Sequence, residues 1–315
     1  MAKGNRSGTT APERPGELLP ARVISVSRRN VKLLLENRVV EGVSSRALKD
    51  VTVGDMVAAS PGKDKFFIEE ILPRKNCLAR SYREQQKSLA SNLDHVFIVT
   101  AVESLFQPLF IDRVIGVCRS EDIPVTLVVN KADLPAETTV ETIEIYKELK
   151  IPIHIMSVKK SLRWNEFLQL LANPQLNVVA LAGVSGVGKS TILNKLVPEA
   201  SRRTGEVSRK TGLGIQTTTL AVGYEYKPEA RVTPLLVIDL PGVQSFGVAH
   251  LSKDGVIHGF SEIEAIGRKC KFGNCSHMAE EECEVKVALE DGRIAFFRYE
   301  SYCRMIEEIK EARKY

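Results

Sequence analysis

The 315-residue sequence lacks any apolar run close to the roughly 20 residues that a membrane-spanning helix requires. Its first sixteen residues also lack the apolar core of a secretory signal. No internal repeat is visible, and low-complexity sequence is confined to those sixteen residues, which argues against repeat folds. We therefore expect a globular, cytoplasmic protein that has no membrane partner.

The composition allows more than one domain. Hydrophobic residues make up 43% of the chain and charged residues 26%, which suits two or three domains with substantial cores. The net charge of +5 suits a polyanionic partner such as RNA, although many proteins without such a partner are equally basic. Residues 1–16 carry Lys3, Arg6 and Arg14 among Gly, Ser, Thr and Pro, and this pattern predicts a disordered basic tail.

The segment from residue 17 to 73 contains short alternating stretches that Gly, Asn and Asp separate. The predicted strands are 21–27, 30–35, 38–43, 56–59 and 66–71. Five strands in about 55 residues favour a small antiparallel β-barrel, with an OB-type fold as the leading candidate. A generic barrel without a ligand is the alternative.

From residue 74 to 249 apolar strands alternate with helical patterns, which predicts an α/β domain with a covered, mostly parallel sheet. The predicted strands are 95–101, 125–129, 151–156, 178–182, 220–226 and 235–238, and the predicted helices are 111–120, 139–149, 164–171 and 189–196. Residues 250–315 form a third, helical domain that contains cysteines and ends in a helix over 294–313.

Residues 183–190 match the phosphate-loop pattern G-x-x-x-x-G-K-[ST] between a predicted strand and a predicted helix. Glycines permit a tight loop whose N–H groups face phosphates, Lys189 offsets their charge, and Ser190 can ligate Mg²⁺. The nucleotide-binding residues predicted here are Gly183, Val184, Ser185, Gly186, Val187, Gly188, Lys189, Ser190 and Thr191.

The base is indicated by Asn130-Lys131-Ala132-Asp133, an N-K-x-D motif that follows the strand 125–129. Asp133 can accept hydrogen bonds from the N1–H and amino groups of guanine, whereas adenine would leave the carboxylate unpaired. Ser157-Val158 resembles the Ser-Ala loop that contacts the base, with Val in place of Ala. A surface turn can spell the same four letters, but the neighbouring motifs favour guanine recognition.

Two further segments follow the phosphate loop. Thr217 or Thr218 supplies a second hydroxyl to Mg²⁺ in the expected switch I. Residues 239–242 match D-x-x-G, in which Asp239 meets Mg²⁺ through water and Gly242 senses the γ-phosphate. The guanine motif therefore precedes the phosphate loop, and this order predicts a circular permutation of the GTPase domain.

The cysteines also point to a metal. With no export signal, three of the six cysteines cluster with a histidine within residues 270–283. Cys270, Cys275, His277 and Cys283 form the ligand complement of a closed, structural Zn²⁺ site, one per chain. Unrelated buried cysteines are the alternative reading, which the compact and polar spacing disfavours.

Together these motifs resemble the RsgA/YjeQ family of circularly permuted GTPases that act in small ribosomal subunit biogenesis. The resemblance implies an N-terminal OB-fold, a permuted GTPase domain and a C-terminal zinc-binding helical domain. It also implies docking on 16S rRNA in the 30S subunit, with ribosome-stimulated hydrolysis of GTP to GDP and phosphate, bound Mg²⁺, and action as a monomer.

One departure concerns catalysis. Family members commonly carry His before the threonine run, where this sequence has Gln216. A Gln amide can orient water but cannot change its protonation near neutral pH, so Gln216 is the candidate catalytic residue and Gln244 a less favoured one. Val243 stands where many GTPases carry a water-orienting Gln, which predicts slow intrinsic turnover.

Two other functions fit parts of the pattern. One is a GTP-dependent switch of another permuted family that acts on tRNA or a protein complex, which the cysteine spacing argues against. The other is an RNA-binding factor in which the nucleotide only stabilises the fold. The intact Lys189, Ser190 and Asp239 favour hydrolysis instead.

Overall fold

The structure, a computed structural model, describes residues 18–82, 85–200, 221–241 and 246–313. The predicted tail at residues 1–16 lies outside these ranges. Among the helices that the structure describes, none has the length and apolar character needed to cross a bilayer.

The first five strands form a barrel, as predicted. They are β1 (Leu19–Ser27), β2 (Asn30–Leu35), β3 (Arg38–Ser44), β4 (Met56–Pro61) and β5 (Phe66–Ile71). The strand order β1-β2-β3-β5-β4 closes because β4 pairs with β1, and β3–β5 is parallel while the other pairs are antiparallel. Alternate apolar side chains fill the interior, and they include Val23, Val31, Leu33, Val57 and Ile68. This five-stranded barrel agrees with the OB-type prediction.

A hairpin follows the barrel, made by β6 (Cys77–Tyr82) and β7 (Gln85–Ser91), which pair antiparallel. Residues 74–87 carry no strand prediction because polar and charged side chains hide the alternation there. The apolar residues that the hairpin does have are largely buried, among them Leu78, Ala79, Leu89 and Ala90. These apolar residues are too few and too widely separated by polar ones to give a periodicity that predicts a strand.

In the part of the α/β domain that the structure describes, six further strands lie in the order β10-β9-β8-β11-β13-β12. They are β8 (His95–Ala101), β9 (Val125–Asn130), β10 (Ile153–Ile155), β11 (Val178–Ala182), β12 (Val222–Tyr226) and β13 (Leu235–Asp239). Neighbouring strands are parallel except for the β12–β13 pair, which is antiparallel. Buried on both faces, β9, β11 and β13 read as continuous apolar runs. The prediction of a covered, mostly parallel sheet is confirmed.

Helices connect and cover these strands. Those of the α/β part are α1 (Pro108–Ser120), α2 (Glu137–Glu148), α3 (Trp164–Leu171) and α4 (Lys189–Leu196). The C-terminal part has α5 (Lys253–Ile257), α6 (Ser261–Gly267), α7 (Glu284–Glu290) and α8 (Phe296–Ala312). Helix α1 begins three residues before its predicted start, because Pro108 occupies a first-turn position, where the missing N–H costs nothing.

The three parts pack on one another. The barrel strand β1 pairs with the edge strand β12 of the α/β sheet at Ser25 and Val222. At the C-terminal end, the buried Arg298 of α8 reaches Asp112 of α1 and, at 2.7 Å, Glu262 of α6. The boundaries predicted after residues 16, 73 and 249 stay predictions.

Candidate functional site

The phosphate loop joins β11 to α4 across residues 183–188. Gly186 and Gly188 have φ values of +87° and +104°, in a region that glycine adopts without the penalty of a side chain. At Gly183 a Cβ atom would lie 2.2 Å from the carbonyl oxygen of Val99 on β8. Glycine is thus required by backbone conformation at two positions and by close approach at a third.

Lys189 points back into this loop. Its Nζ donates to the carbonyl oxygens of Gly183 at 2.7 Å and Val184 at 3.2 Å. Burial lowers the pKa of Lys189, and the charge of Asp239 opposes that shift. The loop therefore holds a desolvated ammonium group beside its own backbone, where an added anion would meet it without first displacing much water.

Asp239 ends β13 directly beside the loop, since Leu181 of β11 is its partner in the sheet register. Burial raises the pKa of Asp239 to about 6, although the Lys189 charge opposes the rise. Its Oδ1 atom is buried and has no hydrogen-bond partner among the described residues. A buried carboxylate oxygen without a protein partner fits a bound cation or one of its waters.

Asn130 connects the predicted guanine motif to the phosphate loop. Its Nδ2 donates to the carbonyl oxygen of Val187 at 2.8 Å, and its Oδ1 accepts the N–H of Val158 at 3.0 Å. A Cβ atom at Gly188 would lie 2.3 Å from that Nδ2. One buried side chain therefore holds three loops, which arise from separate parts of the sequence, at one edge of the sheet.

The rest of the predicted base site surrounds this contact. Lys131 has a φ of +61°, and the N–H of Ala132 donates to the carbonyl of Met156 at 3.1 Å. The exposed Asp133 has a lowered pKa, chiefly because the buried hydroxyl of Ser157 hydrogen-bonds to it. The carboxylate is thus ionised and directed by Ser157 while open to solvent.

Helix α4 contributes on both sides. Ser190 and Thr191 lie exposed in its first turn, next to the phosphate loop. Lys195 in its last turn donates to the carbonyl of Val158 at 3.2 Å and to Ser161 at 2.7 Å. The role of Lys195 as a brace was missed, because no motif marks a lysine one and a half turns into the helix.

Other predicted site residues cannot be placed. Gln216, Thr217, Thr218 and Gly242 lie outside the described residues, and so does the alternative candidate Gln244. The switch I and catalytic assignments therefore rest on the sequence.

The four predicted metal ligands converge. Their ligand atoms all lie within 4.8 Å of one another, and Cys275, His277 and Cys283 are buried. The Nδ1 atom of His277 is 3.6 Å from the Sγ atoms of both Cys270 and Cys283, which are 3.9 Å apart. Tetrahedral zinc with Zn–S bonds of about 2.3 Å places its sulfurs roughly 3.8 Å apart. The cluster therefore fits a metal of that size.

The metal loop has a brace that the sequence did not single out. Oε1 of Glu280 accepts the N–H of Ser276 at 2.6 Å, and Oε2 accepts the N–H groups of Met278 and Ala279, each at 3.2 Å. Burial raises the pKa of Glu280, but these donors outweigh it and bring the pKa to about 2. His277 itself has a φ of +61°, so the turn needs this support, but no sequence pattern distinguishes Glu280 from the acidic residues that follow it.

The comparisons with known proteins agree with this site. A family profile described as RsgA GTPase matches residues 71–249, which contain the guanine motif, the phosphate loop and D-x-x-G. The chain belongs to the RsgA GTPase family. It is accordingly a GTPase, and the fold and family predictions are confirmed.

RsgA relatives match most of the chain. A small ribosomal subunit biogenesis GTPase RsgA from Histophilus somni (strain 129Pt) is 34% identical over 278 residues, 85% of this chain and 77% of the relative. The protein of the same name from Actinobacillus pleuropneumoniae serotype 5b (strain L20) is 35% identical over 285 residues, with shares of 85% and 78%.

Two solved structures are similar to this chain over nearly its whole length. YjeQ from Thermotoga maritima has a TM-score of 0.67 and 27% identity, and the match covers 93% of this chain and 98% of that protein. YloQ, described as a circularly permuted GTPase, has a TM-score of 0.64 at 23% identity, with 96% and 98% covered. The second likeness shows the fold alone.

Proposed function

We propose that this chain hydrolyses GTP to GDP and phosphate while it assists maturation of the small ribosomal subunit. The observation that carries the proposal is the side chain of Asn130, which joins the phosphate loop to both base-side loops. A nucleotide bound at the phosphate loop thereby extends its base toward Asp133. The phosphate loop and the guanine motif therefore bind the same nucleotide.

Guanine recognition falls to Asp133. Its ionised carboxylate accepts from the N1–H and the amino group of guanine, and Ser157 holds it in place. Adenine presents an acceptor at N1 and no amino group at that edge, so binding ATP would leave the carboxylate desolvated and unpaired. Lys131 covers the ring face, and Ala132, Ser157 and Val158 line the base.

Phosphate and Mg²⁺ binding fall to the loop and its neighbours. Backbone N–H groups of residues 183–188 face the phosphates, and Lys189 exchanges its carbonyl partners for phosphate oxygens. Ser190 and either Thr217 or Thr218 would hold Mg²⁺ directly, and Asp239 would do so through water, which satisfies its orphaned oxygen. Mg²⁺ supplies neutralisation of charge on the β- and γ-phosphates. Gln216 orients the attacking water, and Gly242 senses the γ-phosphate.

The Cys₃His cluster holds one structural Zn²⁺ ion. His277 binds through Nδ1, because that atom faces the two thiols while Nε2 lies against Gly267, where an added Cβ would be 2.7 Å away. Because the protein would fill all four ligand positions, a bound zinc ion would have no open site for chemistry and would serve to hold the C-terminal domain together.

The partner is the 30S subunit, bound through 16S rRNA. The names of the RsgA relatives support this choice, and the net charge of +5 and the OB-type barrel are suited to RNA. Because ribosomal subunits are assembled in the cytoplasm, the protein acts there, as a monomer in solution.

The test is multiple-turnover GTP hydrolysis by the purified protein alone, with isolated 30S subunits and with 50S subunits. Stimulation by 30S and not by 50S is expected, with Lys189→Ala as the inactive control. ATP in place of GTP should give no stimulated turnover. A rate that neither subunit changes would refute the ribosomal part of the proposal, and absence of GTP turnover in every mixture would refute the enzymatic part.

A further inference from the structure

The backbone of residues 246–248, which we name the switch II exit, is held by three different elements. The N–H of Ser81 on β6 donates to the carbonyl of Gly247 at 2.8 Å. Glu308 on α8 accepts the N–H of Val248 at 2.6 Å, and Arg113 on α1 donates to the carbonyl of Phe246 at 3.5 Å. The hairpin, the α/β domain and the C-terminal domain thus meet on these three residues.

The switch II exit is closely packed. Phe246 and Val248 are almost completely buried, and the ring of Phe246 packs edge-on against Phe110. A Cβ atom at Gly247 would lie 2.3 Å from the carbonyl oxygen of Ser81 and 3.1 Å from Oε1 of Glu308. Because Gly247 has no side chain, the hairpin strand and helix α8 can both approach the backbone at this position.

Glu308 uses both carboxylate oxygens in this contact. Oε1 receives the Val248 N–H, while Oε2 receives Nη2 of Arg113 at 2.6 Å. The side chain of Glu308 is 26% exposed and that of Arg113 is 15% exposed, so the ion pair is shielded from solvent without being fully desolvated. Both bonds involve an ionised partner, which makes them stronger than hydrogen bonds between neutral groups.

Helix α8 also reaches the metal cluster. Tyr299 donates its hydroxyl to the carbonyl of His277 at 2.8 Å, and Tyr302 donates to the carbonyl of Ser276 at 3.1 Å. Glu308 follows Tyr299 by nine residues, or roughly 13 Å along one continuous helix. A single rigid element therefore connects the metal loop to the switch II exit.

We infer that Glu308 is a positioning residue for GTP hydrolysis, through which the C-terminal domain fixes the segment after D-x-x-G. The inference rests on the proposed function. In sequence, D-x-x-G begins at Asp239, which the sheet holds, and is followed by residues 246–248, which Glu308 and Arg113 hold. Contacts from D-x-x-G to the γ-phosphate matter most in the transition state, so loosening the hold on the residues that follow it lowers kcat more than it raises KM.

The experiment compares the zinc-loaded, full-length wild type with Glu308→Ala, Glu308→Gln and the control Glu307→Ala, an exposed carboxylate on the same helix. We expect kcat with 30S subunits to fall about tenfold in Glu308→Ala while KM for GTP changes by less than about threefold. Glu308→Gln should recover most of the rate, because its amide oxygen still accepts the Val248 N–H. Thermal melting of each variant reports whether the fold is intact.

Several results would overturn the inference. One is that Glu308→Ala has the same kcat as Glu307→Ala. Another is that Glu308→Ala raises KM for GTP and leaves kcat unchanged. If Glu308→Ala does not fold, Glu308→Asp replaces it, since its carboxylate is drawn back by one methylene. The same result is expected, a fall in kcat with little change in KM. A wild type without GTP turnover would instead refute the proposed function, and this inference with it.

Discussion

At the scale of single residues, the site depends on close approaches that only particular side chains allow. Gly188 and Asn130 show this most clearly, because the amide of Asn130 occupies the space that any side chain at Gly188 would need. The N-K-x-D and phosphate-loop motifs are therefore two halves of one contact. The identity of both residues was predicted from the sequence, but their contact was not, since it depends on how β8, β9 and β11 are ordered in the sheet.

Replacing Gly188 with Ala should weaken GTP binding by about tenfold or more, because the new Cβ displaces Asn130 and φ of +104° strains the backbone. The matched control is Gly292→Ala, where φ is +72° but no atom lies within 4 Å of the added Cβ. Titration with a fluorescent GTP analogue gives both dissociation constants. Equal affinity in the two variants would show that the contact with Asn130 does not matter.

At the scale of elements, the C-terminal metal loop is shaped by a carboxylate as well as by its ligands. Glu280 collects the backbone N–H groups of the turn that presents His277, and Tyr299 and Tyr302 hold that turn against α8. Ligand spacing predicted the four metal ligands. Spacing could not predict the brace, because a glutamate in an acidic run normally belongs to a solvated surface.

We expect Glu280→Ala to lower zinc affinity by about 10- to 100-fold, the range typical when a residue that orients a ligand is lost. Competition with a chromophoric chelator measures the affinity, and the exposed neighbour Glu281→Ala is the control for loss of charge. If both variants bind zinc as the wild type does, the ligands alone determine the geometry of the loop.

At the scale of the whole molecule, motif order and apolar periodicity predicted the three parts of the fold, and tertiary contacts hold the parts together. The β6–β7 hairpin was missed because its strands are polar. The junctions were missed because each joins residues far apart in sequence, as when Arg298 binds Asp112 and Glu262. Such buried charges follow no local pattern, and their burial is tolerable because Arg298 is both ion-paired and hydrogen-bonded to the carbonyl of Gly259.

Although the motifs follow a permuted order in the sequence, they come together at one edge of one sheet. Asn130 ends β9, Gly183 follows β11 and Asp239 ends β13. These three strands and β8, which lies between β9 and β11, are all parallel, so their carboxyl ends share one edge of the sheet. Chain order is therefore irrelevant to the site as long as the spatial order of strands is kept.

The central claim is that this site recognises guanine through Asp133. The most direct test is to measure affinity for GTP and for xanthosine triphosphate in the wild type and in Asp133→Asn, with Glu137→Gln as the matched control on an exposed neighbour. Xanthine carries a carbonyl where guanine carries its amino group, so an Asn amide can donate where Asp accepts. We predict that Asp133→Asn loses GTP and gains xanthosine triphosphate, each by at least about tenfold. Unchanged preference for GTP would contradict the account.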